Sequence, residues 1–250
     1  VYDYFDWEYP EVLHWGHVQV DEYDIKMSTS TIKQLIEDGE LDGWDDPRAP
    51  TIQSLRRRGI HGEAIVDAMV GLGMSTSGVD LAMSTIYANN RDIVDDAADR
   101  YFLVRDGVEK AVVGGPEAGE PPLHPDHEER GRRHVPVPGA VRVESKDVPA
   151  NGERVWLKGY GCVRHTRDAF EYTGDDINAV REEGVDVIHW VPADDTVSVT
   201  MRTAEGDVTG EAEPDFADAE VDEVVQFERI GFVRVDEQGD DEAVVYWTHK

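Results

Sequence analysis

The spacing of apolar positions changes part-way along this chain. From Ser28 to about Asp99 they recur three and four residues apart, the helical pattern. In "STIKQLIEDGEL", Ile32, Leu35 and Ile36 share one face and Gly39 suits a stop. "TIQSLRRRGI" offers Thr51 as a cap, Ile52 and Leu55 as the apolar stripe and Gly59 as terminator. "HGEAIVDAMVGLGM" and "GVDLAMSTIYANNRDIVDDAAD" predict two more helices, and the short links between them predict a compact bundle.

Beyond Asp99 the period becomes two. "RYFLVRDGVEKAVVGG" predicts a hairpin turning at Asp106-Gly107. "PEAGEPPLHPDHEERGRRH" has no periodicity and reads as an exposed loop. From Val135 onward short β segments recur, including "AVRVES", "RVWLKGYGCVR", "VDVIHWVP", "TVSVTMRT", "EVVQFERIGFVRVD" and "AVVYWTH". Their regular spacing predicts barrels or a sandwich, with no repeat of fixed period visible. A helical module followed by an all-β module is expected, with a short α/β remnant in front.

Charge changes this picture more than length does. Acidic residues outnumber basic ones 54 to 24, for a net charge of −30, and only six of the basic residues are lysine. In dilute salt such a surface repels nucleic acid, because affinity for phosphate rests on cation contacts. Scattered Asp and Glu with scarce Lys fit a very salty cytoplasm, where the Debye length shrinks to roughly 3 Å and only touching charges count. Acidity then no longer excludes an RNA partner. No apolar run approaches the ~20 residues of a membrane span, and no signal peptide opens the chain, so it reads as intracellular. A single cysteine, Cys162, excludes an internal disulfide framework and a multi-cysteine zinc site. The chain opens on Val1 rather than Met, as a piece of a longer protein would.

Three stretches carry candidate chemistry. "HWGH" at His14–His17 has the form H-x-G-H, yet "VQVDEYDI" follows it, a β run rather than a helix whose N-terminus would receive a phosphate. "KMSTS" at Lys26–Ser30 places hydroxyls at a predicted helix start beside a lysine, an anion cradle that also reads as a plain cap. "GWDDPRAPTIQSLRRRG", Gly43–Gly59, has a rigid turn, a helix start and three arginines at the helix end, where they offset the dipole. Arg56, Arg57 and Arg58 fan too widely to share one carboxylate, which in so acidic a chain suggests phosphate contacts.

In this order, "KMSTS" and "GWDDPRAPTIQSLRRRG", with "VIHWVP" and "VVQFERIGF" in the β half, resemble the glutaminyl- and glutamyl-tRNA synthetases of archaeal and eukaryotic type. The resemblance is co-linear and covers essentially the whole chain. It implies the C-terminal portion of a class I glutamate–tRNA ligase, with residues 1–25 ending the nucleotide-binding catalytic domain. Residues 26–98 would form the helical module with its KMSKS-like loop, and residues 99–250 two anticodon-binding β-barrels. His14 and His17 are then a decoy, and the true H-x-G-H and the amino-acid pocket fall outside this chain, which alone would be inactive.

The family implies ATP, with Mg2+, as the activating cosubstrate, glutamate as substrate, and tRNA(Glu), with tRNA(Gln) as a second candidate, as partner of a monomer. It assigns ATP to Lys26, Met27, Ser28, Thr29 and Ser30, with Lys26 catalytic. Thr29 replaces the usual second lysine, and Lys33 is one candidate to take over its charge. Arg48 and Arg56–Arg58 would brace the inside of the tRNA's L shape. Lys158, Gln226 and Arg229 would meet the anticodon. Trp156 either fills a barrel, the favoured reading, or offers a base a stacking face. "VPANGER" stands where glutaminyl enzymes insert a basic loop, which favours the glutamyl branch. Two alternatives stand beside this: a stand-alone tRNA-binding module without catalysis, and a glutaminyl enzyme. His124, His127 and His134 lack a zinc spacing and are expected in solvent.

Overall fold

The computed structural model describes residues 1–250, the side chains at positions 179 and 180 apart. Residues up to His17 form little regular structure, and their aromatic rings rest mainly on one another. A short strand, Val18–Val20, then runs parallel to Val79–Leu81. Four helices lie in the stretch that precedes Arg100: α1 (Thr29–Glu37), α2 (Ile52–Arg57), α3 (Gly62–Leu72) and α4 (Met83–Val94).

The helix signals mostly act as their chemistry predicts. Ile32 is buried with Leu35, Ile36, Leu41 and Ala49 around it, and Gly39 leaves α1 at φ +76°. The Thr51 hydroxyl accepts from the Ser54 N–H at 3.0 Å, capping α2, and Gly59 ends it at φ +87°. Ile52 departs from expectation: it is 63% exposed, so Leu55 alone anchors α2 in the cluster with Ile60, Ala68, Leu81, Met83 and Ile86. The expected helix over "GVDLAMST" begins later than its sequence suggests. Val79–Leu81 is recruited as a parallel partner of Val18–Val20 and buries Leu81, which ties residues 1–25 to the helical stretch.

The β half holds two seven-stranded sheets of the same topology. In the first, the order is Val187–Ile188, Arg154–Leu157, Gly161–Thr166, Ala169–Gly174, Gly107–Val113, Ala140–Glu144, Val191–Pro192. In the second it is Arg100–Tyr101, Val224–Phe227, Gly231–Gln238, Glu242–His249, Val197–Thr203, Gly206–Ala212, Leu103–Val104. Both edges of each sheet are thus parts of one short segment, 187–192 or 100–104, which nearly closes the sheet into a barrel. A fifth α-helix, α5 (Ile177–Glu183), connects Ala169–Gly174 to the closing strand Val187–Ile188 of the first sheet.

The closing segment of the second barrel is contributed from before the first. Its period-two alternation serves both cores: Tyr101 and Leu103 point into the second, Phe102 and Val104 into the first. This also overturns the expected hairpin at Asp106-Gly107. Leu103–Val104 pairs with Gly206–Ala212, whereas Gly107–Val113 pairs with Ala140–Glu144 and Ala169–Gly174, so the two arms part into different barrels. The Pro-rich stretch after Gly115 is no free loop either. Ala118–Gly119 pairs with Val135–Pro136, and His124 and Arg133 are buried. His127, by contrast, sits at the surface between Asp96 and Glu129.

An internal repeat emerges that the sequence pattern does not announce. Arg154–Thr166 and Val224–Asp236 form matching hairpins, each turning through a left-handed residue, Gly159 at φ +76° and Arg229 at φ +65°, followed by Gly161 and Gly231 at φ +145° and +148°. The Trp156 and Gln226 N–H groups each donate 2.8 Å bonds, to Asp186 O and Asp99 O respectively.

Candidate nucleotide loop and nucleic-acid interface

Gly16 of "HWGH" sits where a Cβ would lie 2.0 Å from Ser77 O, and its N–H donates to Ser75 O at 2.8 Å. The glycine thus lets two backbones touch, and the strand Val18–Val20 follows. Nothing here is a strand-to-helix phosphate turn, as the sequence context predicts.

The loop Lys26–Ser30 leads into α1. Ser28 is the N-cap, extended at φ −146°, and its hydroxyl lies 3.0 Å from that of Ser30 instead of binding the helix backbone. The first N–H groups of α1 and three hydroxyls therefore stay available to an anion. Lys26 and Met27 are exposed, and Lys26, Ser28, His17, Tyr23 and Pro50 line a cavity of about 590 Å3. Lys33 leans along α1 to Glu37 at 3.6 Å.

The arginines of "WDDPR…LRRR" part company. Arg48 is exposed but clamped on buried Asp46, donating from Nε and Nη2 at 2.9 and 2.6 Å; Asp46 also accepts the N–H groups of Asp42 and Arg48. Burial works against the Asp46 charge, but these donors prevail and hold its pKa below the ordinary range. Arg56 is exposed. Arg57 is shared between Asp236 and Asp45, both at 2.9 Å, with the Tyr246 ring 4.5 Å beneath it. Arg58 is only 1% exposed and binds Tyr23, Tyr87, Trp247 and Thr248. The expectation that it meets RNA is therefore corrected: its donors are engaged inside the protein, which the three-arginine run alone does not reveal.

Lys158 and Arg229 each bind a carboxylate across the seam of the barrels, and Gln226 stands on the strand Val224–Phe227 that leads to the turn at Arg229. In both hairpins the residues on either side of the central one point inward, Val155 and Leu157 or Val225 and Phe227, so Trp156 and Gln226 face outward, half-exposed. The barrel-filling reading of Trp156 is thereby corrected. Lys158 pairs with Glu228, its equivalent in the other hairpin. Glu228 also accepts from Arg133 at 3.2 Å. Arg133 is buried over the Phe102 ring at 4.5 Å and binds both oxygens of Glu213 at 2.7 Å. Complete burial pushes the Glu213 carboxyl up to about 7, and Arg133 and the Phe102 N–H draw it back toward charge. Arg229 donates twice to Asp147, at 2.6 and 3.0 Å, beside a groove of about 690 Å3 that Arg154, Asp186 and Arg229 line. Sequence patterns do not single out Glu213, Asp147 and Glu228; Arg133, which with Arg130 and Arg132 reads from sequence as a tRNA-backbone contact or a balance for local acids, is buried on Glu213.

The site thus has two parts, a hydroxyl-rich loop at a helix start and a cation-lined seam between matching hairpins. Residues 1–96 match the family described as tRNA synthetases class I (E and Q), catalytic domain. Residues 98–181 and 187–236 match two families described as the anti-codon binding domain of the same enzymes. Over its whole length the chain is 68% identical to the glutamate–tRNA ligase of Haloarcula marismortui and 66% identical to that of Natronomonas pharaonis. It is 40% identical to that of Methanosarcina barkeri, and it spans 44% of each of these three relatives. The chain belongs to the class I tRNA synthetases of the E and Q type.

Proposed function

We propose that this chain is the tRNA-binding part, with the second nucleotide loop, of a glutamate–tRNA ligase that joins glutamate to tRNA at the expense of ATP in the cytoplasm. The observation that carries the reading is the pair of equivalent hairpins that turn Trp156 and Gln226 outward, with Lys158 and Arg229 paired across the seam at their turns. There, outward side chains from two equivalent strands can meet unpaired bases and their phosphates. Trp156, outward at the place matching Gln226, adds an aromatic face. Arg48, Arg56 and Arg57 extend a cationic line from the seam's second barrel toward α1, suited to the tRNA's inner side. Arg58 supports that line from within.

At the other end, Lys26 and the hydroxyls of Ser28, Thr29 and Ser30 suit the phosphates of ATP, which would arrive with Mg2+ and supply an adenylyl group to the glutamate carboxylate, with pyrophosphate leaving. Their task is electrostatic: to favour the charge that builds on the phosphate as the carboxylate attacks. The units implied are residues 1–25 with the nucleotide-binding half, 26–98 as the helical brace and 99–250 as the anticodon grip, acting on tRNA(Glu) as a monomer. Acceptance of tRNA(Gln) is part of the same proposal.

In the full-length enzyme, Lys26→Ala should cut adenylate formation by about 100-fold or more while tRNA affinity changes little. Pyrophosphate exchange and filter binding in molar KCl check this, and unchanged exchange would overturn the loop assignment. The isolated chain should bind tRNA in molar KCl and ignore an unrelated polyanion.

A further inference from the structure

Arg58 is withdrawn from solvent, and the groups it holds come from distant parts of the chain. Its Nε donates to Trp247 O at 3.0 Å and its Nη2 to Thr248 O at 3.0 Å, both on the last strand of the second barrel. The Thr248 hydroxyl donates back to Arg58 O. Nη1 donates to the Tyr23 hydroxyl at 3.2 Å, and Nη2 also to the Tyr87 hydroxyl of α4 at 2.6 Å. Tyr87 passes the bond on, donating to Glu22 Oε1 at 2.6 Å.

Glu22 is where this chain of contacts matters. It stands at φ +80°, in the left-handed region that a glutamate seldom adopts and that costs free energy. It lies on the turn that carries the chain from the strand Val18–Val20 toward Lys26. Its neighbour Asp21 accepts the N–H of Met83 at 2.7 Å, so α4 anchors both residues of the turn. On the barrel side, the strand Glu242–His249 pairs with Gly231–Gln238, which pairs in turn with Val224–Phe227, the strand bearing Gln226. A planar guanidinium with fixed donor directions tolerates little sliding between the parts it joins.

We propose that Arg58 and Tyr87 are positioning residues that transmit the seating of the second barrel, through the strained turn at Glu22, to the loop Lys26–Ser30. The proposal rests on the reading of that loop as a nucleotide loop and of the barrel seam as an anticodon grip. The held turn is the element with two arrangements: with the phenol in place it is kept left-handed, and without it the backbone relaxes and the loop loses its aim.

The test uses the full-length ligase, with Lys26→Ala as the control for the loop reading. Tyr87→Phe keeps the ring and removes only the hydroxyl. It should raise KM for ATP in aminoacylation about five- to tenfold, through loss of the phenol's two hydrogen bonds, the part-buried one from Arg58 and the exposed one to Glu22. Affinity for tRNA should stay within about twofold. Glu22→Gln keeps an acceptor for the phenol and should stay close to the parent. Glu22→Gly suits the left-handed turn but cuts the tie, and should behave as Tyr87→Phe does. In the parent, a tRNA with an altered anticodon base should raise KM for ATP, and in Tyr87→Phe that dependence should vanish. If Tyr87→Phe and Glu22→Gly leave KM for ATP and its anticodon dependence at parental values while Lys26→Ala raises KM, the transmission is refuted and the loop reading stands. If Lys26→Ala changes nothing, the loop reading falls and the proposal with it. Should circular dichroism show Tyr87→Phe to be misfolded, the Glu22→Gly result alone decides.

Discussion

Most of the cations assigned to RNA in this acidic chain come already engaged. Arg48 rests on Asp46, Arg57 on Asp45 and Asp236, Lys158 on Glu228 and Arg229 on Asp147. A phosphate or base edge must displace or share these carboxylates, so each internal partner weakens binding that is merely electrostatic. Asp147→Asn removes one such competitor. It should strengthen binding of non-cognate RNA and steepen the salt dependence by about one unit of log K against log salt, as one more cation becomes free to pair. A titration series across KCl concentrations checks it. Two buried histidines act on stability instead. His189 is 2% exposed, and burial holds its pKa down at about 4 against an ordinary 6.5. His249, whose Nε2 is 3.0 Å from the Asn90 amide, is held at about 4 by burial as well. Both stay neutral in the fold while the unfolded chain takes up protons, so stability present above pH 6.5 is lost as pH falls toward 4. Each contributes on the order of 2–3 kcal/mol. Denaturant midpoints should decline across that window, and His189→Gln should flatten the decline.

Individual elements show where sequence patterns stop being sufficient. The helices are legible because caps and stops act locally: Thr51, Gly39 and Gly59 perform as their chemistry dictates. The turn at Asp106-Gly107 misleads because its preference is local while the pairing is not. Closing the second barrel outweighs one favourable turn, and Leu103–Val104 leaves with the other sheet. The arginine run is half legible. Arg56 and Arg58 look alike in sequence, and only the packing of Trp247 and Tyr87 separates an exposed cation from a buried tie. The repeated hairpins share few identical residues, since only backbone conformation and inward apolar positions need to agree. Their glycines test this. A Cβ at Gly231 would sit 2.5 Å from His249 O, backbone that cannot yield, at φ +148°. Gly231→Ala should therefore destabilise the chain by about 2–4 kcal/mol in urea unfolding, whereas Gly139→Ala, with open space around it, should cost less. Phe102→Ala strips a wholly buried ring packed in the first barrel's core and under Arg133, and should cost about 3–5 kcal/mol.

For the molecule as a whole, the net charge of −30 dominates behaviour in dilute buffer. Self-repulsion opposes the compact state until counterions screen it, so the melting temperature should climb steeply between 0.1 M and molar KCl. A flat response would show that the short ion pairs already neutralise the repulsion. The family and the order of modules can be read from sequence because motif strings are contiguous. The seam cannot, because Lys158, Glu228, Arg133 and Glu213 meet only after two sheets have curled.

The reciprocal use of residues 100–104 has a consequence for how this half of the molecule is made and dissected. Each sequence block that reads as a tidy module is short of one stave, which its neighbour holds. A polypeptide cut at residue 105 would open the second cylinder and one cut at residue 186 would open both, each bare rim ready to seize a strand from another copy. Synthesis meets the same constraint: the second cylinder's first stave leaves the ribosome before any of the first, and must wait, already half dressed by Phe102's neighbours, until the last residues arrive.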